Sequence, residues 1–210
     1  MATRPTPFER VSPSADFPAK EREILDLWDR LDAFVTSVEM RDPSTEFTFY
    51  DGPPFPTGSP HYGNLLAGVL KDIVPRYWTM RGHRVERRFG WDTHGLPIEM
   101  EVQKELGLSG PAEIEAYGIG RFNEACRRRV TANTGVWEEI TRRIGRWVDF
   151  ENDYSTMDLD FMESVWWVFK QLWDKGLVYR DFKVLPYSYG AATPLSNFEV
   201  NLGAYRDVED

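Results

Sequence analysis

The sequence predicts an α/β fold built on a parallel sheet, and three stretches carry that expectation. Phe47-Thr-Phe-Tyr50 is aromatic or β-branched throughout and reads as a strand. Asp51-Gly-Pro-Pro54 breaks it, Pro56, Thr57 and Gly58 keep the next loop irregular, and Leu65, Leu66, Val69, Leu70, Ile73 and Tyr77 then recur at helical spacing. After Gly82, His83-Arg-Val-Glu-Arg-Arg-Phe89 reads as a second strand. Strand, helix and strand in that order form a βαβ unit, whose crossover implies a parallel sheet. Ligands of such sheets sit at the carboxyl ends of the strands. The Gly90–Glu99 stretch falls there.

The start of the central helix is the first candidate site. Ser59 reads as its N-cap and Pro60 as its first helical residue, where a missing N–H costs nothing. His61, Gly63 and Asn64 then occupy the first turn, whose free N–H groups and partial positive charge suit a phosphate. His61 and Asn64 are three apart and share a face, and Gly63 leaves backbone open to a flat group. A single His at a helix start also serves simply as a cap or surface residue. The preceding strand, the Pro/Gly loop and the Ser-Pro start supply the context of a nucleotide site.

The remaining elements follow in order. Residues 1–16 are rich in Pro, Ser and Thr and read as extended or loose. A helix from about Pro18 places Ile24, Leu27, Trp28 and Leu31 on one side, and Phe34 and Val38 continue that side. Pro75 is expected to kink or break the central helix. A helix is expected from about Pro97 to Leu106, a short one at 111–117, and a long one from about Gly120. On the long one Phe122, Cys126, Val130, Asn133, Trp137, Ile140, Ile144 and Trp147 form a core stripe. Cys126 is read as a core filler rather than a nucleophile. Arg121, Arg127, Arg128, Arg129, Arg142, Arg143 and Arg146 form a basic strip, either a solvated face or a contact for RNA or a partner. Asp158 caps a helix whose tryptophans read as core, Gly176 ends it with Leu177 packing back, Val178–Tyr187 reads as a third strand, and 188–210 as loop and hairpin. A three-stranded parallel sheet is poorly covered, so the chain reads as the first part of something longer.

Composition narrows the class. Apolar content of 41% and charged content of 28% are those of a soluble globular protein. A formal charge of −9 repels nucleic acid overall and leaves binding to local basic patches. One cysteine allows no internal disulfide and no cysteine-built zinc cluster, and fits a reducing cytoplasm. Met1-Ala-Thr-Arg-Pro-Thr-Pro7 lacks the apolar core expected of a signal peptide, and Val165-Trp-Trp-Val-Phe169 is too short to span a bilayer. A soluble cytoplasmic protein is expected.

Tyr50-Asp-Gly-Pro-Pro54, Pro60-His-Tyr-Gly-Asn64, Lys71-Asp-Ile-Val-Pro-Arg-Tyr77, Arg88-Phe-Gly-Trp-Asp-Thr-His-Gly-Leu-Pro-Ile-Glu99, Tyr179–Tyr187 and Thr193–Glu199 together resemble the N-terminal part of the isoleucyl-tRNA synthetases, a class I aminoacyl-tRNA synthetase family. The resemblance implies a helical extension over 1–45, the first part of a Rossmann-like catalytic domain over 46–205, and the start of a linker to an editing domain over 206–210. It implies activation of isoleucine with ATP and Mg2+, giving isoleucyl-adenylate, and transfer to tRNA(Ile). It assigns Gly58, His61, Gly63 and Asn64 to ATP, with His61 and Asn64 as the catalytic pair, and Pro53, Asp92 and His94 to the amino acid. Asp92 would hold the α-ammonium group and Pro53 would wall the side-chain pocket; His94 supports either the site or only its loop.

Three departures accompany the resemblance. Asn64 stands where a second His is usual, so that position can donate a hydrogen bond but not become cationic. The family's Lys-Met-Ser-Lys-Ser loop is absent from the 210 residues. Ser188-Tyr-Gly-Ala191 stands where many bacterial relatives have a Cys-x-x-Cys pair, so no zinc is expected there. Two rival readings remain: a non-catalytic fragment or paralogue that binds RNA or a partner, and a small-molecule nucleotidylyltransferase.

Overall fold

A computed structural model describes residues 13–200. The expectations for residues 1–12 and 201–210 lie outside it. Helices α1 (Phe17–Arg30) and α2 (Ala33–Glu39) lead to α3 (Tyr62–Met80) and strand β1 (Arg88–Trp91). Then come α4 (Leu96–Leu106), α5 (Gly110–Tyr117), α6 (Ile119–Val130), α7 (Thr134–Arg143) and strand β2 (Asp149–Ser155). The described chain closes with α8 (Leu159–Asp174), the short strands β3 (Tyr187–Ser188) and β4 (Thr193–Pro194), and α9 (Asn197–Val200).

The parallel sheet is present, but its partners differ from those expected. β1 pairs with β2, in parallel, and the register jumps from Arg88↔Asp149 to Gly90↔Tyr154. The jump is held by Asp149, whose Oδ1 accepts the backbone N–H groups of Glu151 (2.8 Å) and Asn152 (3.0 Å). β2 escapes sequence reading because Asp149, Glu151, Asn152 and Asp153 read as loop. Phe47–Tyr50 is extended but not a strand. Its parallel pairing with the 83–89 segment is confined to the single bridge Glu46↔Arg84 and the bond from Phe47 N–H to Arg84 O (2.9 Å). Beyond that point the chain turns inward at buried Asp51. The expected third strand over 178–187 has no ladder before Tyr187, because no strand among the described residues lies beside it. The hairpin that follows is real and pairs β3 with β4, antiparallel.

The helices depart from expectation at their ends. α3 begins two residues later than read: His61 is its N-cap, and the helix runs on through buried Pro75. The long helix expected from Gly120 is two, broken at residues 131–133, so Asn133 stands at a junction rather than in a core stripe. Asp158 is the N-cap of α8, but its carboxylate accepts from Ser155 N–H (2.9 Å) instead of from the helix. Gly176 has the expected left-handed backbone (φ 68°), yet Leu177 is exposed instead of packing back. The tryptophans of α8 are exposed as well, Trp167 by 63%, because no described element covers that helix. Amphipathic spacing identifies an apolar face; it does not guarantee that the covering partner is near.

Two apolar clusters hold the fold together. One joins Phe89, Trp91, Trp137 and Val148 across the sheet and α7; the other joins Ile98, Val102, Phe122 and Val130 across α4 and α6. Half-buried Cys126 packs on the second cluster as filler, and burial pushes its thiol above the usual range, with Glu99 adding to the effect. The α1–α2 pair docks through Trp28, edge-on to Trp147 (5.3 Å), and through Arg41, whose Nη2 donates to Thr79 O (2.7 Å).

Gly90 is needed for close approach. A Cβ there would stand 2.2 Å from the ring of Tyr154 on the neighbouring strand. That ring is fixed in turn by stacking on Phe161 (5.7 Å, 5° between planes) and cannot step aside. Gly90→Ala is expected to destabilise the chain by about 2 kcal/mol or more through overpacking. Gly120→Ala, in open space on α6, is expected to be neutral or to stabilise by up to about 1 kcal/mol. Urea unfolding of the two variants beside the parent chain checks both.

Candidate active site

The loop from Asp51 to Gly58 is the centre of the site, and it holds no ladder of its own because Pro53, Pro54 and Pro56 lack N–H groups. Its carbonyls are taken up by donors from elsewhere. Tyr154 OH donates to Asp51 O (2.5 Å), Asp92 N–H to Pro54 O (2.9 Å), and the indole of Trp137 to Gly58 O (2.7 Å). Lys71 donates to Gly52 O. Burial, then the neighbouring Tyr50, Asp51 and Asp92, holds the Tyr154 phenol well above its ordinary pKa, so it remains a donor.

Asp51 anchors the loop from below. Its side chain has no exposure, and it faces two cations: Lys71 Nζ at 2.9 Å from Oδ1, and Arg146 on Oδ2. Arg146 is itself buried and lies over the Phe89 ring (5.6 Å). Sequence reasoning gave Asp51, Lys71 and Tyr154 no role in the site and read Arg146 only as part of the basic strip. The available signal was an acid placed directly between a run of strand formers and Gly-Pro-Pro.

His61 and Asn64 form a reciprocal capping box. Asn64 N–H donates to His61 Nδ1 (3.3 Å), and His61 N–H donates to Asn64 Oδ1 (3.0 Å). An accepting Nδ1 places the ring proton on Nε2, and an accepting Oδ1 leaves the Nδ2 hydrogens unused by the box. Both remaining donors, one on exposed His61 and one on half-buried Asn64, lie at the positive end of a 19-residue helix. Gly63 carries no Cβ because one would meet the His61 ring at 3.0 Å. The bland reading of His61, a helix cap, and the ligand-facing reading therefore describe the same geometry.

A cleft of about 130 Å³ runs between the loop, α3 and α7, lined by Pro53, Pro54, Asn64, Lys71, Trp137 and Arg146 among others. Of the residues singled out in the sequence, Pro53 and Asn64 share this cleft. Asp92 is joined to it through Pro54, and Gly58 through Trp137. Exposed His94 lies outside its lining. Beyond Asp92, Thr93 locks the end of β1 to the end of β2, its N–H donating to Thr156 Oγ1 (2.9 Å) and its hydroxyl meeting Ser155 Oγ (3.0 Å). A larger open groove of about 700 Å³ at the start of α8 contains none of the site residues that the sequence suggests.

The basic strip is largely neutralised. Arg128 pairs with Glu124 (3.3 Å), Arg129 with Glu101 and Glu105, Arg142 with Glu138 (2.9 Å), Arg143 with Glu21 (2.8 Å), and Arg146 with Asp51. Arg146 is thus buried at Asp51, and the other four pair with acids nearer the surface. Among the described residues, no cluster of three or more His, Cys, Asp or Glu is placed to hold a metal ion, and no helix is long and apolar enough to cross a membrane.

Residues 23–209 match the family of class I tRNA synthetases (I, L, M and V). The isoleucine–tRNA ligase of Treponema denticola is 53% identical over 203 residues, covering 97% of this chain and 18% of that protein. The cytoplasmic isoleucine–tRNA ligase of Saccharomyces cerevisiae is 56% identical over 194 residues (92% and 18%), and that of Mycobacterium tuberculosis 58% over 187 residues (89% and 18%). Among solved structures, LeuRS of Agrobacterium radiobacter in a ternary complex with tRNA and LeuAMS is similar in fold, with a TM-score of 0.56 at 21% identity, over 89% of this chain and 22% of that one. The chain thus spans about 18% of the length of the curated relatives it matches.

Asp51→Asn would leave Arg146 buried beside a neutral amide. It is expected to cost about 3 kcal/mol of stability, read as a lower urea midpoint at unchanged slope.

Proposed function

Because the chain belongs to the class I tRNA synthetases, we propose that it forms the first part of the catalytic domain of an isoleucine–tRNA ligase, over residues 46–205, behind a helical extension. The activity is that of the longer protein: isoleucine and ATP give isoleucyl-adenylate and pyrophosphate, and the isoleucyl group then passes to the 3′ end of tRNA(Ile). The observation that carries this reading is 53–58% identity to proteins of that name across nearly the whole chain. The cytoplasm is the compartment that goes with it.

In the activation step a carboxylate oxygen of isoleucine attacks the α-phosphorus of ATP, which enters with Mg2+ as substrate. The bond from the α-phosphorus to the α,β-bridging oxygen breaks, and pyrophosphate leaves with that oxygen. The protein has to align the reactants and stabilise charge that spreads over the phosphoryl oxygens. The first turn of α3 suits the phosphates: its free N–H groups, His61 Nε2–H and Asn64 Nδ2–H are all donors. Gly58 leaves backbone open to the nucleotide, and Gly63 leaves room for the His61 ring that would meet it. Pro53 walls the amino-acid side chain, Asp92 takes the α-ammonium group, and His94 supports the loop that carries Asp92. A single methylene separates isoleucine from valine and is worth only about 1–3 kcal/mol, the best-known case of this limit on discrimination.

Isoleucine-dependent ATP–pyrophosphate exchange by the full-length protein tests the reading; exchange with leucine alone would reject it. Asp92→Ala is expected to raise KM for isoleucine far more than KM for ATP, and equal effects would remove Asp92 from the ammonium role. Asn64→Asp keeps the acceptor of the capping box but loses the donor and adds a negative charge. It is expected to raise KM for ATP by roughly 10- to 100-fold with the melting temperature of the protein unchanged, whereas Asn64→His is expected to remain active.

A further inference from the structure

Asn133 occupies the N-cap position of α7, where an Asn side chain ordinarily accepts a hydrogen bond from the first turn of its own helix. Here it makes no such bond. Its amide Nδ2 instead reaches the loop before α3 and donates to two successive carbonyls, Thr57 O at 2.9 Å and Pro56 O at 3.3 Å. One turn further along α7, Trp137 holds Gly58 O. The break between α6 and α7 therefore lies against the segment that leads into the His61–Asn64 box.

The alternative, that Asn133 is only a junction residue between two helices, leaves this long-range bonding unexplained. Asp, Ser or Thr would cap α7 at least as well, but none offers two amide hydrogens to carbonyls separated from it by 76 and 77 residues in sequence. Pro56 is fully buried, and Asn133 is half-buried. A lost partner there leaves carbonyl oxygens that water reaches poorly.

We propose that Asn133 is a positioning residue for the nucleotide subsite: it forgoes capping α7 in order to fix Pro56, Thr57 and Gly58, and so sets the entry of α3 that carries His61 and Asn64. Its link to ATP rests on the function proposed above; the clamp itself does not. The amino-acid side of the loop is tied separately, by Lys71 at Gly52 and by Asp92 at Pro54. Loss of Asn133 should therefore weigh on ATP more than on isoleucine.

The test uses Asn133→Asp, which can cap α7 but repels the loop carbonyls, with Asn133→Ser as a second variant should the first fail to fold. On the 210-residue chain, NMR hydrogen exchange follows the Trp137 indole N–H and the Asp92 amide, both donated to loop carbonyls. The Trp137 indole is expected to lose protection by about tenfold or more, while the Asp92 amide, on the separately tied side of the loop, and the amides within α4 and α7 are unchanged. Unchanged protection of the Trp137 indole in a folded variant, or equal loss at the Asp92 amide, overturns the clamp. In the full-length protein, KM for ATP is expected to rise about tenfold with KM for isoleucine within about twofold, and Asn133→Gln, which keeps the amide donors, is expected to recover part of the loss. Equal increases for both substrates would reduce Asn133 to a general structural role and overturn the proposal. A parent protein without isoleucine-dependent exchange would instead reject the function, leaving the exchange experiment to decide the clamp.

Discussion

A carboxylate with no access to water is stable only where cations and donors replace its hydration, and Asp51 sets that condition for the whole site. Its two partners come from distant places, Lys71 from the second turn-pair of α3 and Arg146 from the connection between α7 and β2. One buried charge therefore fixes the loop to a helix and to the approach of a strand at once. Arg146 is followed by Trp147, whose N–H donates to Asp72 Oδ1 (3.2 Å), and Arg76 pairs with the same carboxylate (2.7 Å). Arg76 also lies over the rings of Trp147 (4.4 Å) and Trp28 (5.3 Å). The path from the loop to α1 is continuous packing and ion pairing.

This arrangement gathers more positive charge than Asp51 and Asp72 neutralise. Arg87 is buried among Arg41, Arg76 and Arg146, donates to Thr79 Oγ1, and its Nε and Nη1 find no acceptor among the described residues. Burial pulls its pKa down to about 10; Asp72 opposes that shift and the three neighbouring arginines reinforce it. The faces of Phe34 (5.4 Å) and Trp147 (6.0 Å) offset part of the cost, since ring quadrupoles attract a desolvated guanidinium. Phe34 belongs to α2, so the helical extension contributes directly to making the charged layer tolerable.

What could be read from the sequence was chemistry that is local. Prolines, glycines and a His-x-x-Asn pair declare a loop and a helix start within a few residues of one another, and that part of the reading needed only a shift of the N-cap from Ser59 to His61. What could not be read depends on partners far along the chain. β2 is polar because it is defined by its pairing with β1 and by the Asp149 turn, not by strand-forming residues. Asn133 fell on a helical spacing, yet periodicity registers which residues recur and is blind to a break between two helices. The tryptophans of α8 carried the strongest apolar signal in the chain and proved exposed, since hydrophobicity reports a need for cover and says nothing about where the cover comes from.

The proline content of the loop explains why so many elements converge on it. Each proline removes an N–H, so the segment from Pro53 to Pro56 has acceptors in excess of donors and cannot satisfy itself through a turn or a ladder. A half-buried loop of that composition must draw donors from its surroundings, and it draws them from α3, the end of β1, β2 and α7 as well as from the α6–α7 junction. The converse holds one turn later. At the start of α3 the backbone has donors in excess of acceptors, and the capping box satisfies only part of that excess. The chain thus passes within a few residues from a region that must be given protons to one that has protons to give. The first is satisfied by donors from the scaffold, and the second keeps donors to spare at His61 and Asn64.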